Sequence, residues 1–233
     1  MKDFFARNKG FIAVIIGTLI LILGGVFLFS KGGSPGISGN KVSSSLLVPS
    51  NAIETSGFAN GSYMPASSSA TATLVEFGDY ECPACAVYSP LVKQLLTDFA
   101  GKIGFVFRNY PLPQHANALI SSYAVEAAGL QGKYWQMHDK IYETQNDWVN
   151  LSDPKDIFIG YAKDLGLNVD QFISDLSSSG IKDKVQNDLS DVNAIGINET
   201  PTFYLNGKKI TLTENYNELK SLVQSAVTNN QSQ

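Results

Sequence analysis

Thr73-Leu-Val-Glu-Phe-Gly78 runs directly into Asp79-Tyr-Glu-Cys82-Pro-Ala-Cys85, so a short apolar segment is followed at once by two cysteines three positions apart. The first segment is mostly apolar and closed by Gly, the pattern of a buried strand. After it, Val87, Leu91, Leu95 and Phe99 repeat at helical spacing, with Gly101 as terminator. Pro83 suits the first turn of that helix. Cys82 is therefore expected at a helix amino terminus, where unpaired backbone N–H groups favour a thiolate. Cys85 follows about one turn later, within reach to close a disulfide and release a bound substrate. Asp79 and Glu81 oppose the thiolate, and as solvated, screened carboxylates they are expected to lose to the helix terminus.

Lys102 to Arg108 reads as a second strand, stopped by Tyr110-Pro-Leu-Pro113. Residues 115–196 carry helical patterns: Ala118, Leu119, Tyr123 and Ala127 on one face, then Trp135, His138, Ile141 and Tyr142. Asp153-Pro154 opens the stripe Ile157, Phe158, Tyr161, Ala162, Leu165; Phe172, Ile173 and Leu176 follow, then Ile181, Val185, Leu189 and Val192, closed by Gly196. Two strand-like runs, Thr202–Leu205 and Lys208–Thr211, flank Asn206-Gly207, the strongest short hairpin signal. Leu219, Leu222, Val223 and Ala226 line a closing helix. Strands separated by helices imply an α/β domain with a mixed central sheet flanked by helices.

Phe11 to Phe29 is a run of 19 uncharged residues, enough to span about 29 Å as a helix, roughly the hydrocarbon thickness. Lys2, Arg7 and Lys9 precede it, which leaves residues 1–10 in the cytoplasm and the rest outside. A cleaved signal peptide is the alternative, although its apolar region is usually shorter. Residues 30–69 are rich in Ser, Gly and Pro and read as a tether to a domain over 70–227, with a polar tail at 228–233. Past residue 31 the chain holds 13 Lys/Arg against 20 Asp/Glu, a net charge of −7, which gives no electrostatic reason to bind nucleic acid.

The chain has two cysteines, too close together to staple distant parts of a fold. Three readings of the pair are open: a redox couple, half of a zinc site, or two inert core residues. Zinc would need His115 and His138, which stand 23 apart, and no second C-x-x-C exists. A position at a strand–helix junction favours redox chemistry over an inert core role.

The stretch Val75 to Cys85 resembles the active-site signature of the DsbA-like branch of the thioredoxin superfamily, in particular its membrane-anchored bacterial members. Ile197-Asn-Glu-Thr-Pro-Thr-Phe-Tyr-Leu-Asn-Gly207 resembles that family's second motif. Gly132-Lys-Tyr-Trp-Gln-Met-His-Asp139 resembles part of the helical domain inserted between the halves of the fold, here about 115–196. The resemblance implies a thioredoxin-like fold in which Cys82 is the nucleophile and Cys85 the resolving thiol. It makes Pro201 a cis-proline opposite them, with Thr200 offering backbone groups to an extended substrate beside Pro83 and Ala84. Glu76, six before Cys82, matches a buried acid that assists proton transfer at the inner thiol; by its own pattern it would be a strand residue facing water. His115 and His138 are read as structural. Ala84 departs from the strongest oxidants of the family, which carry His there.

The resemblance implies no cofactor beyond the Cys82–Cys85 disulfide. It implies exported cysteine-containing proteins as substrates, a membrane partner that recycles the pair, and the lipid bilayer as the contact of residues 11–29. An oxidase is the leading expectation. A reductase or isomerase, and a redox-inactive surface binding module of the same fold, are the alternatives.

Overall fold

The computed structural model describes residues 36–38 and 71–230. The expected anchor at 11–29 and most of the expected tether lie outside the described residues. Five strands form one mixed sheet in the order β1-β5-β4-β2-β3, where β1 is Gly36–Ser38, β2 Ala72–Gly78, β3 Ile103–Asn109, β4 Thr202–Leu205 and β5 Lys208–Thr211. β2 runs parallel to β3 and antiparallel to β4, so it is central. The edge strand β1 comes from the stretch expected as tether and pairs antiparallel with β5. Three residues with neither hydrophobic alternation nor length leave no strand signal in a sequence.

The connection from β2 to β3 is helix α1, Pro83–Asp98, the crossover a parallel pair needs. It ends through Gly101, whose φ of 76° is the left-handed geometry that Gly adopts without penalty. Between β3 and β4 lie α2 (Ala118–Leu130), α3 (Tyr134–Glu143), α4 (Gln145–Trp148), α5 (Lys155–Asp164), α6 (Val169–Leu176) and α7 (Ser179–Ile195). Helix α8, Tyr216–Asn230, closes the chain. The β4–β5 turn places Asn206 at φ 50° and Gly207 at φ 82°, as a two-residue hairpin requires. Asn206 also ties the turn to β2: its Oδ1 accepts from Thr73 N at 2.8 Å and its N donates to Thr73 O at 2.9 Å.

Strands β2, β3 and β4 are buried on both faces. Leu74, Phe105, Phe107, Phe203 and Leu205 pack into the larger core with Leu95, Trp135, Ile141 and Val223. Val75, Phe77, Val106 and Tyr204 pack on the opposite face with Val192 of α7 and Ile197. Arg108, 1% exposed, closes that end of the sheet through Asp188 at 2.7 Å and Asp191 at 2.6 Å. Asn109 donates to Asp188 and to Glu126, and Lys184 reaches Glu126 at 2.8 Å, so β3, α2 and α7 share one buried polar network. A charge pair this deep costs desolvation and holds only because its partners are satisfied.

Some helix faces differ from their expected stripes. In α1 the buried positions are Cys85, Tyr88, Val92, Leu95 and Leu96, while Val87 is exposed. The inward face is rotated because the helix must bring Cys85 over the sheet. In α2 Leu119 is exposed and the small residues Ser121, Ser122, Ala124, Ala127 and Ala128 are buried instead. Their size permits close helix approach, and hydrophobic spacing does not register buried serines.

Candidate active site

Strand β2 ends at Gly78, where a Cβ would meet the Phe107 ring at 2.5 Å. The chain then turns through Asp79, Tyr80 and Glu81, closed by Cys82 N donating to Asp79 O at 3.1 Å. Cys82 is the N-cap of α1, with Pro83 next in the first turn. Pro83 is exposed and Ala84 half-buried, so both border the surface at which Cys82 would meet a partner. Cys82 is only 7% exposed and Cys85 is fully buried, and both are free thiols.

The two sulfurs are electrostatically unlike. Cys82 is lowered to about 5, first by the hydrogen bond from the Cys85 thiol, then by Thr200 and by the backbone N–H groups of Cys85 and Ala84. Burial works against this and loses. Cys85 is pushed well above the ordinary thiol value by burial, by its bond to Cys82 and by the Glu76 carboxylate. The Asp79 N–H at 3.5 Å from Cys85 Sγ opposes that rise in part.

The Thr200–Pro201 peptide is cis and faces the pair: Cys82 Sγ donates to Thr200 O at 3.5 Å. Cys82, Cys85, Thr200 and Pro201, 118 positions apart across the gap, are thus brought together at the end of the sheet.

Glu76 does not face water. It is 2% exposed, on the β2 face that carries Leu74, and its Oε1 has no hydrogen-bond partner among the described residues. Burial, then the charge of Cys82, raises its carboxyl from 4.5 to about 8. Alternation fails here because both faces of the sheet are covered, which removes the solvent side that a polar residue would otherwise mark.

Asp79 and Glu81 are not solvated either. Asp79 is fully buried, and its carboxylate accepts from Glu81 N and Leu112 N at 2.8 Å each and from His115 Nδ1 at 2.7 Å. Glu81 is 8% exposed and accepts from Asn117 N at 2.5 Å. Fixed hydrogen-bond donors, not salt, hold these two carboxylates. Three further residues grip the turn without any sequence signal. Gln145 Nε2 donates to Tyr80 O at 2.8 Å and Cys82 O at 3.1 Å, and the Tyr142 hydroxyl donates to Asp79 O at 3.2 Å. Asn117, besides its N–H to Glu81, bonds Val149 O and Leu151 O. All three come from the inserted helical block, where chain distance hides their proximity.

His138 is 5% exposed among Tyr80, Phe107, Trp135 and Tyr142, and shares a hydrogen bond with the Tyr80 hydroxyl at 3.0 Å. Burial lowers it to about 3, so the ring is neutral. Each histidine thus has a partner of its own, and among the described residues no group of three or more potential ligands is placed to hold a metal.

The family model described as "Thioredoxin" matches residues 64–225. The sequence is 37% identical over 158 residues to a protein named Na(+)/H(+) antiporter NhaA 1 from Salinispora arenicola, covering 67% of this chain and 23% of that protein. The chain therefore spans about a quarter of the length of the curated relatives it matches. Among solved structures it is similar to oxidised BdbD from Bacillus subtilis, with 26% identity, 70% of this chain and 91% of that chain covered, and a TM-score of 0.62. It shares its fold with alpha-DsbA1 from Wolbachia pipientis at 20% identity, coverage of 72% and 91%, and a TM-score of 0.61. The chain belongs to the thioredoxin family.

Proposed function

We propose that the protein is an extracytoplasmic disulfide oxidase that passes the Cys82–Cys85 disulfide to exported cysteine-containing proteins. The observation that carries this reading is the contrast between the two thiols. A thiol held at about 5 stays ionised in the reduced state, and what stabilises the reduced state makes the disulfide a better oxidant.

The steps balance as two exchanges. A substrate thiolate attacks Cys82 Sγ of the disulfide, the Cys82–Cys85 bond breaks, and Cys85 leaves as a thiolate. Cys85 is the thiol raised by burial, so it takes a proton at once, and Glu76 beneath the pair, raised to about 8, carries one at neutral pH. A second substrate thiolate then attacks the substrate sulfur of the mixed disulfide. The substrate leaves oxidised by two electrons and Cys82 leaves as the stabilised thiolate. The Thr200 carbonyl and the exposed Pro83 border the groove in which an extended substrate would lie.

With two cysteines in the chain there is no further pair to pass electrons on, so recycling falls to a membrane oxidase. Location rests on the apolar run Phe11–Phe29 and the basic residues before it. Protease added to intact cells should remove the domain, and a mature protein beginning near residue 33 would replace the anchor by a cleaved leader.

Equilibration with glutathione buffers tests the direction. The expected potential lies between those of thioredoxin and the strongest oxidants, about −200 to −130 mV. A value near or below about −250 mV makes the protein a reductase, and a pair that never exchanges makes it a binding module.

A further inference from the structure

The Asp79 carboxylate lies in the turn that carries both thiols and is fully buried. Its own backbone closes that turn twice, accepting at O from Cys82 N and donating from N toward Cys85 Sγ. A carboxylate in this position is a hazard to the chemistry, because an uncompensated negative charge beside two sulfurs disfavours thiolate on either. Three donors compensate it. Two are backbone N–H groups, of Glu81 and Leu112, fixed by the fold. The third is the ring Nδ1–H of His115, which shares Oδ2 with Leu112 N. The His115 side chain is 20% exposed, and it is the one side-chain donor described on this carboxylate.

We infer that His115 is a positioning residue for thiol-disulfide exchange: its Nδ1–H completes the donor cage around the Asp79 carboxylate, and that cage keeps the Asp79 charge off the cysteine pair and the Asp79 N–H aimed at Cys85 Sγ. His115 touches neither sulfur among the contacts described and acts only through Asp79. The inference rests on the redox reading of the pair. It gives a function to a loop, Tyr110 to Asn117, that lies outside both sequence motifs and still supplies Leu112 N, His115 Nδ1 and Asn117 N to the two acids flanking Tyr80.

The consequence has a sign. Without the His115 donor, Oδ2 keeps one hydrogen bond, the carboxylate field at the sulfurs grows, and the reduced state loses stability relative to the disulfide. Removing the donor therefore makes the protein a weaker oxidant. A purely structural histidine would lower the melting temperature and leave the redox equilibrium where it was.

The test uses the full chain with three substitutions. His115→Leu removes the donor and blocks water from replacing it. His115→Ala removes it with less bulk, should the leucine variant fail to fold. His115→Asn keeps an N–H close to the Nδ1 position. The readouts are the ultraviolet titration of the Cys82 thiolate and the equilibrium with glutathione. In His115→Leu the thiolate titration should move up by at least about half a unit. Its glutathione equilibrium should shift at least threefold toward the disulfide, about 14 mV more negative. His115→Asn should stay within a factor of two of wild type in the same equilibrium. Unchanged titration and equilibrium in a folded His115→Leu or His115→Ala, or a shift toward stronger oxidation, overturns the inference. A wild-type pair that does not equilibrate with glutathione at all overturns the redox reading instead, so the two failures are distinguishable.

Discussion

Replacing Glu76 by Gln keeps the shape of a fully buried side chain and removes its ability to ionise. The carboxyl has a value of 4.5 in the unfolded chain and about 8 in the fold, so between those values the folded protein holds a proton that the unfolded chain has released. Unfolding then releases a proton, and stability falls as pH rises through this window. The stability is fully present below about 4.5 and is lost progressively until about 8, above which both states are ionised. At 1.36 kcal/mol per unit, the wild type gives up roughly 3 kcal/mol by pH 7 and roughly 5 kcal/mol by pH 8.5. Glu76→Gln escapes this loss. For a domain of this size each kcal/mol moves the melting temperature by about 2–4 °C. The variant should therefore match the wild type near pH 5 and exceed it by roughly 10 °C or more at pH 8.5. Thermal unfolding of both proteins across that range is the assay. Part of the rise comes from Cys82, so the gap should narrow when the pair is oxidised and carries no thiolate. Melting curves that keep a constant separation from pH 5 to 8.5 would refute the argument that burial holds this carboxyl neutral. The same variant cannot exchange a proton with Cys85, and its turnover at pH 7 should drop by at least about tenfold.

Cys85→Ser should accumulate mixed disulfides through Cys82, because the sulfur that would release the substrate is gone; Cys82→Ser, with the buried Cys85 alone, should accumulate none. Alkylation of Cys82 by iodoacetamide should reach half its maximal rate near pH 5, and a midpoint close to the free-thiol value of about 8.5 would count against the hydrogen bonds described for it. Asp188→Leu leaves Arg108 buried with its 2.7 Å partner removed and should cost about 3–5 kcal/mol in urea unfolding. A loss under about 1 kcal/mol would mean that the remaining partners of Arg108, Asp191 among them, carry its charge.

The frame of the fold was readable because its signals are local. The strand ending at Gly78, the helix starting at Pro83, the stop at Gly101 and the Asn206-Gly207 turn each depend on residues within a few positions of one another. The cysteine pair and the Thr200–Pro201 segment were legible for the same reason, each as a short motif. Glu76 alone would have been misassigned, since alternation assumes that one face of a strand meets water and β2 has none. Asp79 was visible, but its distant partners were not: Leu112, His115 and Tyr142 lie 33 to 63 positions from it and converge only in three dimensions. The buried serines of α2 left no hydrophobic trace.

The central strand β2 has one neighbour, β3, about 30 positions downstream and another, β4, about 130 positions downstream. As the chain is made from its amino end, Cys82 and Cys85 exist for more than a hundred residues of synthesis before Thr200 is added. Over that interval Cys82 has the start of a helix but lacks the Thr200 hydrogen bond that lowers it, and β2 lacks its neighbour β4. A chain ending before residue 196 should therefore alkylate at Cys82 with a midpoint nearer to that of a free thiol than the complete protein does. The young chain is in this sense a client of the chemistry proposed for it. Its own two thiols stand open to any oxidant they meet until the residues around Thr200 arrive beside them.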